Sequence, residues 1–165
     1  VAGVDRFLAS LDPSAYHGFN LFYGAGDALR VAYARERVEV RRLGPGVWVL
    51  PNDEIGSPDF PKTRRARALV EPLAARPWPE LRDGLAAALG DHAQPSLDAV
   101  PPPEPGSRFD RATLRRLQAL CIHLPGYGTR SSAILALEPA AVAHYLHAEG
   151  PPCRSPFVEV AELLR

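Results

Sequence analysis

Gly18-Phe19-Asn20-Leu21-Phe22-Tyr23-Gly24-Ala25-Gly26-Asp27-Ala28-Leu29-Arg30-Val31-Ala32-Tyr33 reads as two strands around a turn. Phe19, Leu21 and Tyr23 alternate with Asn20 and Phe22, a period of two that sends neighbouring side chains to opposite sheet faces. Gly24-Ala25-Gly26-Asp27 is a turn signal, after which Leu29, Val31 and Tyr33 resume the alternation. Downstream, Val38 and Val40 alternate with Glu39 and Arg41, predicting a third strand with one wet face. Gly44-Pro45-Gly46 then turns the chain into Val47-Trp48-Val49-Leu50, which reads as a fourth strand covered on both faces. Upstream, Val4, Phe7, Leu8 and Leu11 fall at helical spacing and predict a short helix that Pro13 ends.

Beyond the loop Pro51–Pro58, Pro61 suits the first turn of a helix. An amphipathic stretch runs from there to about Ala75, shortened by Pro72. Pro79 opens a second helix with Leu81, Leu85 and Leu89 on its apolar stripe and Gly90 as its stop. Five prolines between 93 and 107 exclude a regular helix or central strand, so this segment reads as a mobile surface loop. Asp110 can cap a third helix carrying Leu114, Leu117 and Cys121 on one face. Strands are expected again over Ala133–Leu137 and around Val142–Leu146. Strands, helices and strands in that order imply an α+β layered fold with mainly antiparallel pairing, the two central helices on one sheet face.

The composition is that of a soluble globular chain, with 46% hydrophobic and 23% charged residues among 165. Nineteen basic residues balance nineteen acidic ones, so nothing in the net charge points to nucleic acid or an anionic membrane. No apolar run reaches the roughly 18 residues of a membrane span, and the first residues are not those of a signal peptide. A cytoplasmic location is therefore expected.

Few residues single themselves out for chemistry. Cys121 and Cys153 stand 32 positions apart without CxxC spacing, which supports no zinc knuckle and demands no disulfide. His144 and His147 point to opposite sides of a strand. There is no GxGxxG, Walker-type or GxSxG motif, so no nucleotide cradle and no nucleophile elbow. Asn52 follows an apolar segment, where it reads either as an ordinary turn residue or as an amide that can donate to a developing oxyanion. Tyr127-Gly128-Thr129-Arg130-Ser131-Ser132 brings an arginine and two hydroxyls to the start of an apolar strand. Ser131 and Ser132 have no local base and read as strand-start hydroxyls. At a shared sheet rim, Asn52 and Arg130 would make an anion or carboxylate pocket.

Gly18-Phe19-Asn20-Leu21, Leu50-Pro51-Asn52 with Ser57-Pro58 and Pro61-Lys62, and the Tyr127–Ser132 hexapeptide occur in an order that resembles the NRDE family, also called the transport and Golgi organisation protein family. The hexapeptide is the most specific of the three. The resemblance runs from about Phe7 to Leu137 and is poor from Pro139 onward. Members open with Met-Cys, an Asn-Arg-Asp-Glu motif and a Gly-Gly-Thr-Trp stretch, none of which stands in this sequence. The expectation is a single domain over 1–165 that starts inside the family pattern, as a fragment or a late-start gene product.

The resemblance implies an αββα sandwich of the N-terminal-nucleophile hydrolase type, incomplete here, related to bile acid and penicillin V hydrolases. In such proteins an amino-terminal cysteine attacks a C–N bond, and a later asparagine and arginine complete the site. Asn52 and Arg130 match those two positions, so the chain would hold accessory catalytic residues without the nucleophile. Asn20, Trp48, Ser131 and Ser132 are the accompanying candidates for ligand contact. No cofactor is required. The alternative implied by the family is a non-catalytic carrier of haem, an acyl group or a related amphipathic acid, with Trp48, Phe19 and Tyr23 lining its pocket.

Overall fold

The computed structural model describes residues 1–25, 28–139 and 141–164. The chain divides into two compact units, Val1–Ser57 with Glu138–Ala141, and Pro58–Leu137 with Val142–Arg165. Mixed helices and antiparallel strands make it an α+β structure.

The first unit holds helix α1 (Ala2–Ser10) and strands β1 (Phe19–Ala25), β2 (Ala28–Ala34) and β3 (Val38–Leu43). They form an antiparallel sheet in that order, with Tyr33 opposite both Asn20 and Glu39. The β1–β2 hairpin follows the sequence reading, although Gly26 and Asp27 of its turn lie outside the described residues. Register explains how each face is covered. Tyr23 and Arg30 are cross-strand partners on one face, and both reach Asp5 of α1, at 2.7 and 2.9 Å. Val31, Tyr33 and Leu43 lie on the opposite face and form the core, with Leu29, Leu50 and Ile55 packed against them. Ile55 N–H also donates to the Tyr33 hydroxyl at 3.0 Å.

Two expectations change here. On β3, register puts Glu39 and Arg41 on the Val31–Tyr33 face and leaves Val40 40% exposed on the other. A guanidinium makes this workable: Arg41 lies over the Tyr33 ring and pairs with Glu54 at 2.7 Å. Val47–Leu50 is not a strand. Trp48 Nε1 donates back to the Gly44 carbonyl at 2.9 Å, curling the segment over the Gly44–Gly46 turn, so only Leu50 reaches the core.

The second unit holds α2 (Pro61–Val70), α3 (Trp78–Leu89), α4 (Arg111–Arg116) and the short strands β4 (His123–Leu124) and β5 (Tyr127–Gly128). It ends with β6 (Ser131–Glu138), β7 (Ala141–Glu149) and β8 (Val158–Glu159), ordered β6-β7-β8 in one sheet. Pro61 and Pro79 stand in the first turns of α2 and α3, and Gly90 ends α3. After α2, Glu71–Leu73 forms a 3-10 turn around Pro72. Asp110 caps α4 by accepting from Thr113 N at 2.7 Å. That helix stops before Leu117, so Cys121 lies beyond it and not on its face. In the proline-rich segment the Pro95 and Val100 carbonyls accept from Arg115 and Arg111, and Val100 is buried. Strand β6 buries Ile134 but leaves Leu135 and Leu137 52% and 69% exposed, so it is apolar without being covered on both faces.

Candidate functional site

In the first unit, Asn20 organises the segment that carries Asn52. Its Nδ2 donates to the carbonyls of Pro51 at 3.0 Å and Asp53 at 2.9 Å, gripping the backbone on both sides of Asn52. Asn20 does this because β1 turns it to the same face as Tyr33, the face on which this segment packs. Its Oδ1 is buried without a partner among the described residues. The Ser57 hydroxyl, the Glu54 N–H and the nearby Arg35 hold the Asp53 carboxyl below the usual range. Arg35 Nη2 lies 3.3 Å from Asp53 Oδ1.

A cleft of about 430 Å³ opens beside this clamp. Phe19, Leu50 and Pro51 give it apolar wall, and Asn20, Arg35 and Asn52 give it polar wall. With the Asn20 donor already committed, an exposed amide at Asn52 and the Arg35 nitrogens turned away from Asp53 remain to meet a ligand. Such a pair can bind a carboxylate or polarise a carbonyl. The lining holds no hydroxyl, thiol or imidazole to attack one. Trp48 is not among the lining residues. Arg35 escaped the sequence reading because arginines are abundant here. It stands just past the end of β2, whose last residue Ala34 pairs with Phe19, so its nearness to Gly18 and Phe19 follows only from the folded hairpin.

The second unit holds the hexapeptide. Tyr127-Gly128 pairs with His123-Leu124, and Ser131 and Ser132 begin β6. Thr129 Oγ1 accepts from Ile122 N at 3.0 Å, while Thr129 N donates to the Ile122 carbonyl, also at 3.0 Å. Gly128 is required by this closeness, since a Cβ there would lie 2.5 Å from the Ile122 oxygen. Arg130 is exposed, with no ion pair among the described residues. Asn52 and Arg130 thus belong to different units.

Four other side chains converge in the second unit. His92, Cys121, His123 and Cys153 bring their ligand atoms within 4.8 Å of one another. Sequence spacing hides this group, because only Cys121 and His123 stand together and the other members come from two distant segments. His144 and His147, by contrast, lie on opposite faces of β7, where His144 stacks on Trp78 and bonds Glu159 at 3.0 Å.

A family model described as Transport and Golgi organisation 2 matches residues 4–148. The chain belongs to that family. No curated protein matches it significantly. The Transport and Golgi organisation 2 match takes in the Asn52 cleft and the hexapeptide, and it runs past Leu137, where the sequence reading had ended the resemblance. His92, Cys121 and His123 fall within it and Cys153 beyond it. Among the described residues no helix is long and apolar enough to cross a membrane.

Proposed function

We propose that the chain binds a small amphipathic acid, with Arg35 and Asn52 holding its carboxylate and Phe19, Leu50 and Pro51 receiving its apolar part. The observation that supports this is the cleft itself, in which a guanidinium and an amide share a wall with apolar side chains. Acyl groups and haem, through a propionate, have the required chemistry. Calorimetric titration with haem and with long-chain fatty acids tests it. Binding should weaken about 10- to 100-fold in Arg35→Ala, the loss of one charge-assisted hydrogen bond. No binding to any of these acids by the folded protein would overturn the reading.

A second reading, C–N bond hydrolysis of the N-terminal-nucleophile kind in an αββα sandwich, draws support from Asn52 standing at the cleft. In it Asn52 is the accessory group that polarises an amide at the cleft, and the thiol comes from outside the cleft lining. Amide turnover separates the two readings. Cleavage with a kcat that falls in Asn52→Ala favours the hydrolase, and binding without cleavage favours the carrier.

A further inference from the structure

We propose that His92, Cys121, His123 and Cys153 form a tetrahedral zinc site that staples together three segments of the second unit. Two sulfurs and two imidazole nitrogens are the donor set zinc takes in closed structural sites. Oxygen-seeking calcium and magnesium have no ligand here. Around a tetrahedral zinc, two sulfurs stand about 3.8 Å apart, and a sulfur and a nitrogen about 3.6 Å. Cys121 Sγ lies 3.6 Å from Cys153 Sγ and 3.6 Å from His123 Nε2, and His123 Nε2 lies 3.2 Å from Cys153 Sγ. The His92 ring completes the group, 5.1 Å from the His123 ring between centroids.

Each ligand sits on backbone that the unit holds independently. Thr129 clasps Ile122 from both sides, fixing the turn between Cys121 and His123. Cys121 N–H donates to the Asp91 carbonyl at 2.9 Å, which ties the bend at Cys121 to the residue before His92. Asp91 is fixed in turn by Arg65 at 2.6 Å and by the Ala93 N–H at 2.6 Å. Arg154 and Ser155 N–H groups close a turn on the Pro151 carbonyl around Cys153. The segment passes close to Gly90, where a Cβ would stand 3.6 Å from the Cys153 Cα. Four protein ligands leave no open position, so the metal's role is structural.

The test uses the full chain without an affinity tag, produced with zinc and purified without chelator. Metal analysis should find one zinc per chain. Replacement by cobalt should give tetrahedral d–d bands with thiolate charge transfer, and chelator should lower the melting temperature. Cys153 is exposed, so Cys153→Ser should fold, as circular dichroism checks. It should bind cobalt at least about 100-fold more weakly, with reduced charge transfer. His92→Ala should also weaken binding, and the neighbouring Arg154→Ala should not. A folded wild-type chain that takes up no metal at zinc saturation overturns the proposal. So does an octahedral cobalt spectrum, cobalt binding unchanged in Cys153→Ser, or an isolated chain two hydrogens light with a Cys121–Cys153 disulfide.

Discussion

Asn20 Nδ2 donates to the Asp53 carbonyl at 2.9 Å, so a strand residue holds a loop residue 33 positions away. The same nitrogen takes the Pro51 carbonyl at 3.0 Å. A carboxylate in that place would have no proton to offer and would face two carbonyl oxygens. Asn20→Asp should therefore destabilise the first unit by about 2–3 kcal/mol, the cost of a buried charge-bearing group left without donors. Urea denaturation at neutral pH measures it. The loosened Pro51–Asp53 segment should also weaken acid binding at Asn52. A stability unchanged within error would mean that the clamp does not form.

Gly84 and Leu73 make a coupled pair. Alanine in place of glycine inside a helix ordinarily adds about 1 kcal/mol. Here a Cβ at Gly84 would lie 2.5 and 2.7 Å from the two Leu73 methyl carbons, so the leucine must leave its place where α3 meets the turn after α2. Gly84→Ala alone should cost about 1 kcal/mol through overpacking. In a Leu73→Ala background the same change should stabilise by about 1 kcal/mol. A double-mutant cycle in thermal or urea unfolding reads the difference, and additive effects would contradict the packing described.

Local chemistry made much of this fold legible in advance. Prolines in the first turns of α2 and α3, the Gly90 stop, the Asp110 cap and the period-two run of β1 act over a few residues. What long-range neighbours decide was not legible. Val47–Leu50 has the composition of a strand, yet Trp48 finds its partner in the Gly44 carbonyl instead. The alternation on β3 gives two faces, and only pairing with β2 assigns Glu39 and Arg41 to the core side. The sites divide in the same way. Asn52 stands out from its local context, whereas Arg35, just past the end of β2, joins it only in the folded unit. His92 and Cys153 meet Cys121 and His123 only through tertiary packing.

Lys62 carries a pH dependence whose sign is fixed. It is partly buried, its Nζ donates to the Leu117 carbonyl at 3.3 Å, and burial lowers its pKa below the ordinary 10.5. In the unfolded chain the group returns to that ordinary value and binds its proton more tightly. Below the lowered native pKa the cost of keeping the ammonium in the fold is complete and constant. Between that pKa and 10.5 the unfolded state carries more protons, so stability rises with pH across this window. Lys62→Met removes this contribution. Loss of the Leu117 bond shifts the variant by an amount that does not vary below the native pKa, so the slope is the readout. Chemical denaturation at a series of pH values from 7 upward should show the wild type gaining on Lys62→Met. Parallel curves would mean the ammonium is as well solvated as in the open chain.

Gly128 connects the family hexapeptide to the proposed metal centre. Its α-carbon passes so close to β4 that a methyl group there would meet the Ile122 carbonyl oxygen at 2.5 Å, a backbone atom that cannot swing aside. That oxygen accepts from Thr129 N, and Ile122 N donates to Thr129 Oγ1. Gly128→Ala should push the two strands apart, break this reciprocal pair and cost about 2–4 kcal/mol in unfolding free energy. Thr129→Val, which removes the hydroxyl and keeps the shape, should cost only about 1 kcal/mol, since the Ile122 N–H is half-buried. Cys121 and His123 flank Ile122, so both variants should also release cobalt faster than wild type when a chelator is added. If Gly128→Ala lowers stability but leaves cobalt release unchanged, the hexapeptide closes the turn without positioning the ligands.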